Sequence, residues 1–259
     1  MQALEYVAVT READGIAIVA MNRPEKRNAL SVAMMEELEK TLWSLGGDAN
    51  VGVIILRGEG PAFSAGHDLS ELIGRDEAAY RAVFEACVDL MSTIAAVRQP
   101  VIAEVERVAT AAGCQLVAAC DLAVAASTAT FATPGVRIGL FCSTPMVALV
   151  RDVGRKRAME MLLTGEPIDA ETARAWGLVN RVVAPERLHE ATMALARKIA
   201  EASRTVVGIG KAAFYAGVDL DTARAYEHAK EVMTANAQVD DAQEGMRAFL
   251  EKRRPGWKA

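Results

Sequence analysis

The sequence predicts an α/β fold. Three observations carry that expectation. Short apolar runs at residues 51–56, 101–105 and 122–126 alternate with longer segments of helical period, the rhythm of a largely parallel sheet covered by helices. Beyond Pro145 the strand signals nearly vanish and helix follows helix. Apolar residues make up 52% of the 259, enough for a sizeable core.

In chain order, residues 6–10 and 16–21 flank Asp14-Gly15 and read as a hairpin. Asn22 to Arg27 is a polar turn. Ser31 is placed as an N-cap, and the helix after it carries Met35, Leu38, Leu42 and Leu45 on one face before Gly46-Gly47 ends it. Residues 51–56 form a buried strand, and residues 76–96 an amphipathic helix that Gln99-Pro100 terminates. A strand at 101–105, an alanine-rich helix at 111–120 and a strand at 122–126 follow. Helices are expected at 145–153, 155–163, 169–176, 185–202, 206–216, 221–237 and 241–252. Asp169 fits an N-cap, and Gly165 and Gly177 fit C′ positions. The chain divides into a core, residues 1–195, which carries the site, and a helical region, 196–259.

Composition excludes several classes. A net charge of −5 argues against nucleic-acid binding. No apolar stretch is long enough to span a membrane, since Asp121 interrupts the best candidate. Residues 1–10 carry no secretory pattern. Cys87, Cys114, Cys120 and Cys142 lack metal-type spacing and there are only three histidines, so no metal site and a reduced, cytoplasmic setting are expected. No Gly-x-Gly-x-x-Gly follows a strand, which removes a dinucleotide fold.

Two short motifs carry chemistry. Phe63-Ser64-Ala65-Gly66-His67-Asp68-Leu69 follows a strand and a Gly-Glu-Gly-Pro turn, and Ala109-Thr110-Ala111-Ala112-Gly113-Cys114-Gln115 opens a buried helix. Small residues let a ligand approach the backbone. A helix start leaves N–H groups unpaired and carries positive partial charge. Together the two can hold a developing oxyanion and so polarise a carbonyl.

These motifs, with Asn22-Arg23-Pro24-Glu25-Lys26-Arg27-Asn28-Ala29-Leu30, Leu163-Thr164-Gly165-Glu166-Pro167-Ile168 and the ending Phe249 to Pro255, resemble the enoyl-CoA hydratase/isomerase (crotonase) family over essentially the whole chain. Ala109 to Cys120 and Phe131 to Pro145 look like a divergent subgroup of it. The resemblance implies a spiral of ββα units, a helical C-terminal region that builds trimers or pairs of trimers, and an acyl-CoA thioester as partner, with coenzyme A part of the substrate and no separate cofactor. It implies that the N–H groups of His67 and Ala112 polarise the thioester carbonyl and stabilise an enolate, with Ala65, Gly66, Asp68 and Leu69 around them. Lys26, Arg27 and Ala29 match a segment along the nucleotide end of coenzyme A, where basic side chains suit phosphates. Lys252 matches a residue that reaches coenzyme A, in some members from the next subunit.

The match breaks where the family's hydratases carry two glutamates. Here those positions read Gln115, which orients water but accepts no proton near neutral pH, and Gly135, which has no side chain. Loss of one such group costs about 10²–10⁴-fold. Ser143 matches the carboxylate nucleophile of a related dehalogenase; its plain alternative is a helix-capping hydroxyl. His67, whose segment is similar to that of methylmalonyl-CoA decarboxylase, acts first through its backbone, and its imidazole is a secondary candidate. Asp68 is expected to fix the loop. Cys114 and Cys142 are small apolar fillers, with a thiolate at the helix start as the alternative. The resemblance implies that the region of Asp76, Glu77 and Glu85 flanks the pocket, so that one of these acids can swing in to supply a carboxylate. A non-catalytic acyl-CoA binder and an acyl-CoA decarboxylase or isomerase remain the alternatives to hydration.

Overall fold

The computed structural model describes residues 4–258. Two sheets form its core. The larger has six strands: β1 (Val7–Arg11), β2 (Ile16–Met21), β3 (Val53–Gly58), β5 (Val101–Val105), β7 (Leu122–Ala126) and β10 (Arg181–Val183), in the order β1-β2-β3-β5-β7-β10. The hairpin pair β1–β2 is antiparallel and every other pair is parallel. The smaller sheet, β4 (Ala62–Ser64), β6 (Val108–Thr110), β8 (Thr130–Ala132) and β9 (Ile168–Asp169), lies in the order β4-β6-β8-β9. Three successive pairs, β3–β4, β5–β6 and β7–β8, give one strand to each sheet and lead on to a helix, the expected ββα unit, whereas β1 and β2 both join the large sheet.

The large sheet is buried on both faces, which explains why β2 is buried at all six positions rather than alternating. Ile16, Ile18, Val53, Ile55, Ile102 and Val124 face Leu188, Met193 and Ala196 of helix α7 (Leu188–Ala200). Their neighbours Ala17, Val19, Ile54, Leu56 and Ala103 face the opposite way, with α1 (Val32–Gly46), α2 (Glu77–Ala96) and α3 (Ala112–Ala119). The division at 195/196 falls within α7.

The caps expected at Ser31 and Asp169 form, and Asp76 and Asp221, expected inside their helices, are caps as well. The Ser31 side chain accepts from the Met34 N–H, and Asp76, Asp169 and Asp221 cap α2, α6 (Ala170–Trp176) and α9 (Thr222–Asn236) in the same way. Gly165 and Gly177 end α5 (Arg155–Thr164) and α6 in the left-handed region. The remaining helices are α4 (Pro145–Val153), α8 (Arg204–Gly217) and α10 (Asp240–Leu250). No helix among the described residues is long and apolar enough to cross a membrane.

Candidate active site

The adjacent parallel strands β4 and β6, with Ser64 opposite Ala109, end side by side at one edge of the small sheet. The chain turns sharply after each, at Gly66 (φ 87°) and at Ala111 (φ 51°). The Ala111 N–H is held by the carbonyl of Ala132 on β8, at 2.9 Å, and α3 starts one residue later. The two motifs therefore touch. A Cβ at Gly66 would lie 2.8 Å from the Ala111 Cβ and 3.2 Å from the Ala112 nitrogen, and one at Gly113 would lie 2.4 Å from the Ser64 carbonyl oxygen. Only glycine permits this approach.

The segment before α1 buttresses the first loop. The Ala65 N–H donates to Arg27 O (3.0 Å), Leu30 N–H to Gly66 O (2.8 Å) and Asp68 N–H to Leu30 O (3.2 Å). Ser64 Oγ donates to Asn28 O at 2.8 Å and accepts from the Gly66 N–H at 3.2 Å. Asn28 Nδ2 in turn holds the carbonyls of Glu59 and Ala62. The N–H groups of Ala65, Gly66, Asp68 and Ala111 are thus spent inside the protein, whereas those of His67 and Ala112 donate to no described backbone carbonyl. Ala112 is the first residue of a helix, where the N–H is intrinsically orphaned.

These two residues stand in the wall of a cavity of about 590 Å³. The strand ends of β4, β6 and β8 supply its three sides: Ala65, His67, Leu69 and Leu72 from the first, Thr110 to Ala112 from the second, and the 134–145 segment, with Arg137, Ile138, Leu140 and Phe141, from the third. Phe84 of α2 closes it. A groove of about 730 Å³ along α4 and α5, lined by Met146, Val147 and Met159 with Arg151, Arg155 and Lys156, contains neither motif.

The other sequence candidates fall as follows. Gly66 is buried between the two turns, and Ala29 is half-buried next to Leu30. Lys26 and Arg27 are exposed on the turn beside the Ala65 loop. The Asp68 carboxylate accepts from Ser70 (2.7 Å) and Arg23 (3.0 Å). Those bonds, Ser70 first, hold its carboxyl below the usual range, so it ties the loop down. Gln115 is buried and turned to α2, where its Oε1 accepts from Cys87 Sγ at 3.6 Å; it is not part of the cavity wall. Ser143 does line the cavity, but its Oγ donates to Phe141 O at 3.4 Å and caps no helix. Lys252 is exposed at the end of α10 and outside the wall.

Several alternatives are removed. Gly135 has no room for a side chain, since a Cβ there would lie 2.2 Å from Leu140 O and 2.8 Å from Cys142 Sγ. Asp76 caps α2, Glu77 pairs with Arg81, and Glu85 lines an adjoining groove that shares Phe84 with the cavity, so none of the three is in the cavity wall itself. Burial pushes the Cys114 thiol up to about 12 and that of Cys87 up to about 11, against a thiolate. Among the described residues lining the cavity there is no aspartate or glutamate, and no cluster of His, Cys, Asp and Glu is placed to hold a metal ion.

The sequence reading passed over Ala111, Phe84 and Arg137. A positive-φ alanine gives no signal in sequence. Phe84 reads as one apolar position of a helix. Arg137, whose Nε donates to Thr164 O at 3.0 Å, sits in a segment without period.

The two sheets and the spiral order of their strands define a spiral of the crotonase type. Residues 11–259 match the enoyl-CoA hydratase/isomerase family, and the chain belongs to it. It is 50% identical over 248 residues to human enoyl-CoA hydratase domain-containing protein 3, mitochondrial, covering 95% of this chain and 82% of that protein. Identity to the rat protein of that name is 49% over 249 residues, 96% and 83% of the two chains. The crystal structure of the human protein superposes with a TM-score of 0.95 at 48% identity, covering 98% and 100%. That of an enoyl-CoA hydratase from Mycobacterium smegmatis gives 0.95 at 46%, covering 98% and 99%. The cytoplasmic expectation does not hold: the relatives from human, rat and mouse are named as mitochondrial proteins. A thiol count speaks to redox state, not to a particular reduced compartment.

Proposed function

We propose that this chain binds an acyl-CoA thioester in the cavity and stabilises its enolate through the N–H groups of His67 and Ala112. The observation that supports this is the joining of two unspent N–H groups at the ends of adjacent parallel strands, on an apolar cavity. In this reading Ala65, Gly66 and Leu69 flank the thioester. The nucleotide end of coenzyme A runs along Lys26, Arg27 and Ala29, and Lys252 reaches it from a second copy in a trimer or pair of trimers.

Hydration needs water activated at Cβ and a proton delivered at Cα. With Gln115 turned to Cys87 and Gly135 unable to carry a side chain, reactions that draw on the enolate alone fit better: a proton shift, or decarboxylation of a malonyl-type thioester. A non-catalytic acyl-CoA binder is the second reading, favoured by the lack of a carboxylate among the described lining residues.

The test uses a dialkylaminocinnamoyl-CoA, whose absorption moves to the red when its thioester carbonyl is polarised. Saturable binding with a red shift is expected, weakened by Gly66→Ala, which drives a Cβ toward Ala111 and Ala112. Binding without a shift leaves the binder reading, and no binding rejects both.

A further inference from the structure

We propose that the imidazole of His67 is the group that moves the proton at Cα, so that one residue serves the enolate twice, with its N–H on the oxygen and its ring on the carbon. The inference rests on the thioester-polarising reading of the same site.

The geometry singles out this ring. His67 lines the cavity, yet both of its nitrogens are buried without a hydrogen bond of sound geometry, the Leu30 backbone being the one polar group close enough to raise its basicity. Buried polar atoms are nearly always paired, and an orphan calls for a ligand, a water or a mechanistic reason. The ring stands edge-on to Phe84, centroids 5.6 Å apart and planes 83° apart. That contact uses neither nitrogen, so no hydrogen bond opposes a change in the ring's torsions, and the proposal requires one that brings a nitrogen before the two N–H groups.

The competing groups fail on chemistry. Among the described lining residues Arg137 is the one permanent charge, and a guanidinium neither gives nor takes a proton near neutrality. Burial raises the Cys142 thiol. Ser143 has no base beside it. On the loop of His67 itself, Asp68 is engaged by Ser70 and Arg23. From α2 the contact is Phe84, and Glu85 and Asp89 line the adjoining groove that Phe84 also lines, outside the cavity wall. Burial also lowers the basicity of the imidazole, only partly offset by the nearby Leu30 backbone, so the ring stays neutral and able to accept a proton at neutral pH.

The step balances within the site. The Cα–H bond breaks and its proton bonds to the free imidazole nitrogen. The electron pair becomes the Cα=C bond of the enolate, and the carbonyl π pair moves to the oxygen held by the two N–H groups. Return of the proton to Cα gives exchange, and return at a conjugated carbon gives a double-bond shift.

The experiment follows deuterium uptake at Cα of butyryl-CoA in heavy water by mass spectrometry, between about pH 5 and pH 9, alongside the red shift of the chromophoric thioester. The wild type is expected to exchange, with a rate that climbs as the ring loses its proton and then levels. His67→Gln, which keeps the backbone N–H, is expected to lose about 10²–10⁴-fold in exchange while the red shift persists. His67→Asn is the second variant should the first misfold. The assignment is overturned by exchange within a few-fold of wild type in a folded variant, by a wild type that shifts the chromophore but never exchanges, or by joint loss of exchange and shift, which would make the ring a prop for the loop. Absence of the red shift in the wild type is a different failure, that of the thioester reading itself.

Discussion

At the scale of single residues the site turns on backbone conformation. Ala111 holds φ 51° and ψ −121° as the residue before α3, a region that favours glycine. Such a residue stores about 1–3 kcal/mol of strain. Glycine there loosens the unfolded chain by only about 0.4–1 kcal/mol. Strain relief is the larger effect, so Ala111→Gly should stabilise by about 1 kcal/mol in urea denaturation; a net loss would mean the alanine is not strained. The opposite holds at Gly135. Gly135→Glu, meant to restore a family carboxylate, forces a Cβ to within 2.2 Å of Leu140 O. It should cost more than about 2 kcal/mol and install no hydration of crotonyl-CoA, even combined with Gln115→Glu. Hydratase turnover by a stable double variant would show that the 139–142 loop yields. The two motifs were legible in the sequence because glycines and small residues before a helix have few other uses. The absence of both glutamates was equally plain. What could not be read was direction: Gln115 looks outward from the site toward Cys87, and nothing in its local sequence says so.

At the scale of elements, helices and long strands were readable and the small sheet was not. The Ser31 and Asp169 caps announce their helices, and β2, β3 and β5 are apolar enough to be seen. Strands β4, β6 and β8 have three residues each and β9 has two, too short for a period to show. They exist because neighbours pair with them, and they are the strands that position the site. How the helical region attaches was equally silent. The Nζ of Lys211 on α8 is buried and donates to Ile94 O (2.6 Å), Gln99 O (2.9 Å) and Asp121 Oδ2 (2.7 Å). Asp121 also accepts from the Val101 N–H (2.7 Å) and the Tyr215 hydroxyl (2.9 Å). One ammonium thereby ties α8 to the end of α2, the start of β5 and the entry to β7. Removing one partner of a buried pair strands the other, at about 3–5 kcal/mol. Lys211→Met should lose about 3 kcal/mol of stability in urea, less only if Tyr215 and Val101 suffice for Asp121. The loss should fall on the packing of α8 and spare the red shift of a bound chromophoric thioester.

At the scale of the whole molecule the surface is uneven. Most of the apolar residues of α1, α2 and α3 are inside, whereas α8, α9 and α10 turn Phe214, Tyr226, Met233, Met246, Phe249 and Leu250 to water, the last two at 83% and 79% exposure. Isolated exposed apolar residues are ordinary, but several large ones on consecutive helices mark a surface that associates. The tail beside them is pinned rather than loose. Trp257 Nε1 donates to Glu201 O at 2.8 Å and the Lys258 N–H to Asp241 Oδ1 at 2.9 Å, while Arg253 bridges to Glu244. An ordered apolar end fits a symmetric contact between copies, which is also how Lys252 would come to a neighbouring site. In the assembly proposed above, sedimentation of the wild type should give a trimer or a multiple of it. Phe249→Asp combined with Leu250→Asp removes apolar area at exposed positions, so folding of the single chain should be spared while the assembly falls toward monomer. If the charged variant stays fully assembled, α10 lies outside the contact and Lys252 cannot reach a second copy by this route. If the variant dissociates and acyl-CoA affinity falls with it, the nucleotide end of the ligand is held between copies. Dissociation with affinity unchanged would leave each cavity complete in one chain.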